Sequence, residues 1–215
     1  MPSRREFIRC GLAASALAAY PQSVRLALAR SSREKPLRLF KILFDQTSAE
    51  GAEFGAEAVS LGGATRAVGG DAGGAWMNEI EPRWKRGPAA IAGLTGRASL
   101  FCLELLARDY GMGVVYCAEH SLAASGVVHR VIAGRDQVSQ WESRLAAAGN
   151  RWGAVAVAMA MSCPKTPTPV PRVDLLDLTQ PSSTATPSVF SWVMGPAGQP
   201  GILGGRGIQN DPRRG

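Results

Sequence analysis

Acid–base chemistry in this chain starts from a few polar residues that stand just after apolar runs: Asp45 with Gln46, Asp71, and Glu119 with His120. A carboxylate or an imidazole held at the end of a buried segment can move a proton to or from a bound molecule. Asp45 or Glu119 would act as a general base, and His120 as an acid or a base. A second group, Thr95-Gly96-Arg97-Ala98-Ser99, opens a helical pattern. Helix starts present free N–H groups and the positive dipole end, which suit a phosphate or carboxylate. Thr95, Gly96, Arg97 and Ser99 are therefore ligand-binding candidates, with Arg97 adding charge. Asp45, Thr95 and His120 are the catalytic candidates. Each also has an ordinary structural role: Thr95 as an N-cap, and Asp45 as the closure of a turn.

Sharper chemical signatures are missing from the sequence. No G-x-x-x-x-G-K-[ST] phosphate loop, no G-x-G-x-x-G after the first apolar run, no G-x-S-x-G elbow and no C-x-x-C-H occur. Cys117, His120 and His129 are of metal-ligand type, but three such residues from adjoining strands do not define a site, and no metal is assigned. No cofactor is assigned either. Trp76, Glu79, Glu81 and Trp84 form an aromatic and acidic excursion between glycine-rich stretches. It suits a lid or a partner-binding loop, or tryptophans that anchor an irregular segment.

The elements that would position these residues follow from hydrophobic periodicity. Leu37 to Asp45 reads as strand one, and Thr47-x-x-Glu50 as a capping box that opens a helix to about Leu61. Ala64 to Val68 is a short strand. The apolar run Ala89 to Leu94 reads as a buried parallel strand, followed by a helix from Thr95 to Tyr110 that Gly111 ends. Gly113 to Ala118 and Gly126 to Ala133 are the fourth and fifth strands, Asp136 to Ala148 a helix, and Trp152 to Met161 another strand-like run. Within this scheme Cys102 falls on a buried helix position and Cys117 on a strand. His129, in mid-strand, is packed or solvated.

Strands alternating with helices predict an α/β domain: a three-layer open sheet, mostly parallel, with helices on both faces. The hairpin between strands four and five admits some mixing. The domain should span 30–162. Residues 163–194 form a Pro-rich linker in which Ser188 to Met194 can return as an edge strand, and 195–215 should be a disordered tail. In open α/β sheets ligands lie beyond the carboxyl ends of strands, where Asp45, Thr95 and His120 all fall.

The 215 residues are 46% hydrophobic and 19% charged, a globular composition that excludes collagen-like and wholly disordered classes. The net charge of +7 is unevenly placed, because residues 1–29 hold Arg4, Arg5, Arg9 and Arg25 against Glu6 alone. With no basic stripe interleaved with aromatics, nucleic acid is not an expected partner. Three of the four cysteines lie beyond the leader at wide spacing, which is packing rather than a disulfide framework.

Ser3-Arg4-Arg5-Glu6-Phe7-Ile8-Arg9 resembles the twin-arginine signal motif, with Arg4, Arg5 and Phe7 at its characteristic positions. Residues 10–20 form a short apolar segment. As a helix it would reach only about 16 Å, against roughly 30 Å of hydrocarbon, so it reads as a signal and not as a stable anchor. Ala27-Leu28-Ala29 offers cleavage after Ala29, with Ala16-Leu17-Ala18 as a second possibility. The resemblance implies a twin-arginine translocase as partner during export, and a periplasmic or secreted location. The expected function is that of an exported accessory protein, beside an exported redox enzyme subunit, or of a small-ligand-binding protein. The alternative is a hydrolase or transferase working at the strand ends.

Overall fold

Alternating apolar residues make β1 (Leu39–Asp45) a half-buried strand, with Ile42 and Leu43 turned to opposite sides of one sheet. The computed structural model describes residues 36–123, 126–132, 138–163 and 187–197. After β1 come helix α1 (Ala49–Ser60), β2 (Thr65–Val68) and a continuous helical stretch. That stretch consists of α2 (Gly73–Ala75), a π-helical turn (Trp76–Ile80) and α3 (Glu81–Trp84). Then follow β3 (Ala90–Gly96), α4 (Arg97–Arg108), β4 (Met112–Ala123), β5 (Gly126–Ile132), α5 (Val138–Ala147), α6 (Trp152–Met161) and β6 (Ser188–Pro196).

The six strands form one sheet in the order β2-β1-β3-β6-β4-β5. β1 pairs in parallel with β2 and β3, whereas β6 is antiparallel to both β3 and β4, and β4 is antiparallel to β5. The sheet is thus mixed and mostly antiparallel, which corrects the expectation of a mostly parallel one. The cause is β6. The sequence suggested an edge strand, yet the chain returns to the middle of the sheet between β3 and β4. There Phe190, Trp192 and Met194 pack on one side, and Ser191 and Val193 on the other. Gly93 allows this insertion: a Cβ there would lie 2.6 Å from the Trp192 ring and 2.9 Å from the Leu43 carbonyl oxygen. β6 also runs on to Pro196, into what was expected to be tail. Residues 164–186 and 198–215 lie outside the described residues.

Two apolar layers sandwich the sheet. On one face, Trp76, Ile80 and Trp84 join Leu100 and Leu103 of α4. On the other, Phe54 of α1 packs with Trp141 and Leu145 of α5 and with α6. Helices on both faces are as expected; α6 is not. WGAVAVAMAM reads as a strand but forms a helix with nearly every residue buried, held between the sheet, α1 and α5. A segment apolar on all sides has no amphipathic period to reveal its type. Its alternate alanines then favour helix. Among the described residues no helix is long and apolar enough to cross a membrane.

Candidate functional site

β1, β2, β3 and β4 all run in one direction, because the antiparallel β6 lies between β3 and β4. Their carboxyl ends therefore share one edge of the sheet. From there α1 leaves β1 toward one face, while α4 leaves β3 toward the other. That divergence between neighbouring strands creates the crevice in which α/β proteins place ligands.

Asp45 closes the first turn at this edge. Its Oδ1 accepts from the Thr47 N–H at 2.9 Å and from the Thr47 hydroxyl at 2.6 Å. The α1 cap is Ser48, whose Oγ accepts from the Gly51 N–H at 2.9 Å, and not Thr47 as the capping box predicted. A side chain at residue 51 is sterically barred, since its Cβ would lie 1.9 Å from the Asp45 carbonyl oxygen. Asp71 closes a similar turn by accepting from the Gly73 N–H at 2.9 Å.

Thr95 does not cap α4. β3 runs two residues past the predicted Leu94, which draws Thr95 into the sheet, where it is buried and its Oγ1 accepts from the Trp192 indole N–H at 3.0 Å. Gly96 takes the cap position and supplies no side-chain bond to the first turn of α4. Ser99 is buried too, and its hydroxyl donates to the Gly70 carbonyl at 2.9 Å, tying α4 to the loop after β2. Arg97 stands at the first turn, with its guanidinium 5.6 Å from the Phe190 ring centroid. The buried Glu119 lies 4.0 Å from Arg97 Nη2 and 3.2 Å from Arg130 Nη2. Arg97, Glu119 and Arg130 thus form a charged row from the start of α4 across β6 and β4 to β5, on the side of β3 away from β1.

His120 lies elsewhere. Successive residues of a strand point to opposite faces, so His120 turns toward α6 while Thr95 and Glu119 turn toward α4. The three catalytic candidates share an edge, but the sheet separates Thr95 from His120. Nor do Cys117, His120 and His129 come together as metal ligands: Cys117 packs on the α4 side, and no group of three or more ligand-type residues assembles among the described residues.

On the α6 side His120 heads a buried polar chain. Its Nε2 is 2.8 Å from Ser191 Oγ, and Ser191 Oγ is 3.1 Å from the Tyr116 hydroxyl. Its Nδ1 is 2.7 Å from Nδ1 of His129, its direct cross-strand partner on β5. The Trp152 ring stacks on His120, with centroids 4.2 Å apart and planes at 27°. Burial, and then the neighbouring His129, push His120 well below the ordinary histidine range; burial lowers His129 as well. Both rings are therefore neutral at pH 7. Burial likewise drives the Tyr116 phenol far upward. Serine bonded to an imidazole that is itself oriented is the pattern of an activated nucleophile. Here Ser191 and His120 have no exposed surface, so the pattern is a structural core network. Sequence reasoning reached both histidines but not Ser191 or Tyr116. The short β4–β5 connection, which sets 120 opposite 129, was the signal that could have paired the rings.

The tryptophan excursion is not a free lid. Trp76 and Trp84 are buried against Tyr110 in edge-to-face and tilted contacts, and the Trp84 indole donates to the Ala89 carbonyl at 2.7 Å. Glu79 pairs with Lys41 and Arg66, and Glu81 with Lys85 and the Tyr110 hydroxyl. The cysteines divide as well: Cys117 is a buried strand residue, whereas Cys102 is exposed on α4 and not buried as its position predicted, and both are free. The twin-arginine motif and Ala29 lie outside the described residues. The chain matches no family model, no curated protein and no solved structure.

Proposed function

We propose that the chain is an exported α/β protein that binds a small anion of the carboxylate or phosphate class at the start of α4, where β3 passes into its helix. One observation carries this reading: α4 begins with a glycine cap that supplies no side-chain bond of its own, and Arg97 of its first turn stands 4.0 Å from Glu119, which Arg130 also approaches. Backbone N–H groups at a helix start together with guanidinium charge form an anion cradle. Glu119 between the two arginines tempers the charge, which favours a ligand held at moderate affinity and released again, as an accessory or sensing role needs. Export rests on the leader, with its paired arginines and its short apolar segment.

Two measurements test the two halves. The mature chain, titrated with inorganic phosphate and with small dicarboxylates, should show saturable amide shifts confined to Gly96 through Ser99, at millimolar or tighter dissociation constants. Arg97→Ala should weaken them several-fold. Unmoved amides at saturating anion would end the binding reading. Separately, Arg4-Arg5→Lys-Lys should leave unprocessed precursor in the cytoplasm, and normal processing of that variant would end the export reading.

A further inference from the structure

We propose that the facing imidazoles of His120 and His129 form an acid-released latch that holds edge strand β5 onto β4 beneath α6. This goes beyond the anion reading and does not depend on it. Tyr116, Ser191, His120 and His129 form one line of contacts at 3.1, 2.8 and 2.7 Å. Only one direction of donation satisfies it. Among the described residues Ser191 Oγ is the acceptor within reach of the buried Tyr116 hydroxyl, so Tyr116 donates to Ser191. Ser191 then donates to His120 Nε2, and His120 Nδ1–H donates to His129 Nδ1. The tautomers follow from this bookkeeping.

Two neutral rings carry one proton each on their four nitrogens, and a third proton upsets the line. The gap between the two Nδ1 atoms holds only one hydrogen, so the extra proton requires both Nε2 atoms to be protonated, whichever ring bears the charge. His120 Nε2–H must then donate to Ser191. Ser191 then either reverses and donates to Tyr116 or accepts from both neighbours, and in each case one hydroxyl proton is left without an acceptor among the described residues. A fourth proton places two N–H groups and two positive charges head-on across 2.7 Å, and the rings must part.

Among the described residues no charged group pairs with either imidazole. On β4 and β5 the adjacent charged residues Glu119 and Arg130 project to the other face and pair with each other. On α5, Glu142 Oε1 accepts from the Val131 N–H at 2.9 Å, and neither it nor Arg144 pairs with a histidine. α6 offers Trp152, β6 offers Ser191, and the Cys163 thiol beside this core stays protonated. The lack of a carboxylate partner among the described residues agrees with the downward shift of both rings. β5 is the part that can leave. Among the described residues it is an edge strand, paired with β4 alone and covered by α5, and its outward Val128 is exposed. Each proton taken up only by the opened form raises the opened population about tenfold per pH unit below roughly 6.5, so two protons approach a hundredfold.

The test is amide hydrogen exchange on the mature chain between about pH 7.5 and about pH 5, corrected for intrinsic rates. Protection in β5 should fall by tenfold or more at acid pH, while β1 and β3 stay protected. His129→Gln should cut the pH dependence at least by half, because one titrating ring and the N–H conflict are gone. Ring resonances of the unmodified protein give a second readout should that variant not fold: the two histidines should titrate together and below the ordinary range. Independent titration near the ordinary value would overturn the proposal. So would flat corrected exchange in β5, or loss of protection equal in every strand.

Discussion

Thr95 shows how one hydroxyl can be misassigned by position and identified by its partner. As an N-cap it would accept from a backbone N–H of α4; instead it satisfies the Trp192 indole inside the core. Thr95→Val keeps the shape and removes the acceptor, leaving a buried N–H unpaired. The cost should be about 1–3 kcal/mol of unfolding free energy, read from urea midpoints. Thr95→Ser, which keeps the oxygen, should recover most of it. Equal losses in both variants would show that packing matters and the bond does not. Trp192 lies 97 residues away in sequence, so no local pattern could have named it. What the sequence did make legible was placement. Asp45 ends β1 as expected, whereas Thr95, Glu119 and His120 lie near the carboxyl edge but inside strands that run past their expected ends, β3 to Gly96 and β4 to Ala123. Which face each residue takes depends on register, and register depends on pairings with β5 and β6 that the local sequence does not contain.

At the scale of elements, legibility followed amphipathicity. α1 and α4 each bury one stripe and expose the other, and their extents were readable to within a few residues. α6 has no polar stripe, and β6 has a clear strand pattern but no local cue to its neighbours. The consequence for α6 is testable. A half-buried strand would turn Ala156 and Val157 to opposite sides, and one of them would accept a charge. In the helix observed here both are fully buried. Ala156→Asp and Val157→Asp should therefore each cost several kcal/mol, enough to abolish the cooperative thermal transition of a domain this size. A variant of either position that melts like the parent would contradict the buried helix.

For the whole molecule, stability should be greatest in a window bounded by two kinds of buried titrating group. His120 and His129 are held below their unfolded values, so below roughly pH 6.5 the unfolded chain binds protons that the folded one refuses, and stability falls with pH. Each histidine adds at most about 1.4 kcal/mol per pH unit to that slope, until its folded value is passed. The thiols act at the other end. Burial, helped by the Glu119 charge, pushes Cys117 up to about 12, and burial alone pushes Cys163 up to about 12. Above roughly pH 9 the unfolded chain therefore ionises first, and stability declines as pH rises. Urea midpoints across pH should trace a dome with its plateau between these limits. Cys117→Ala should flatten only the alkaline limb, and His129→Gln only the acid one. The same buried side chains that fill the two layers thus confine the fold to near-neutral solution. An acid limb unaffected by His129→Gln would assign that limb to groups outside the histidine pair.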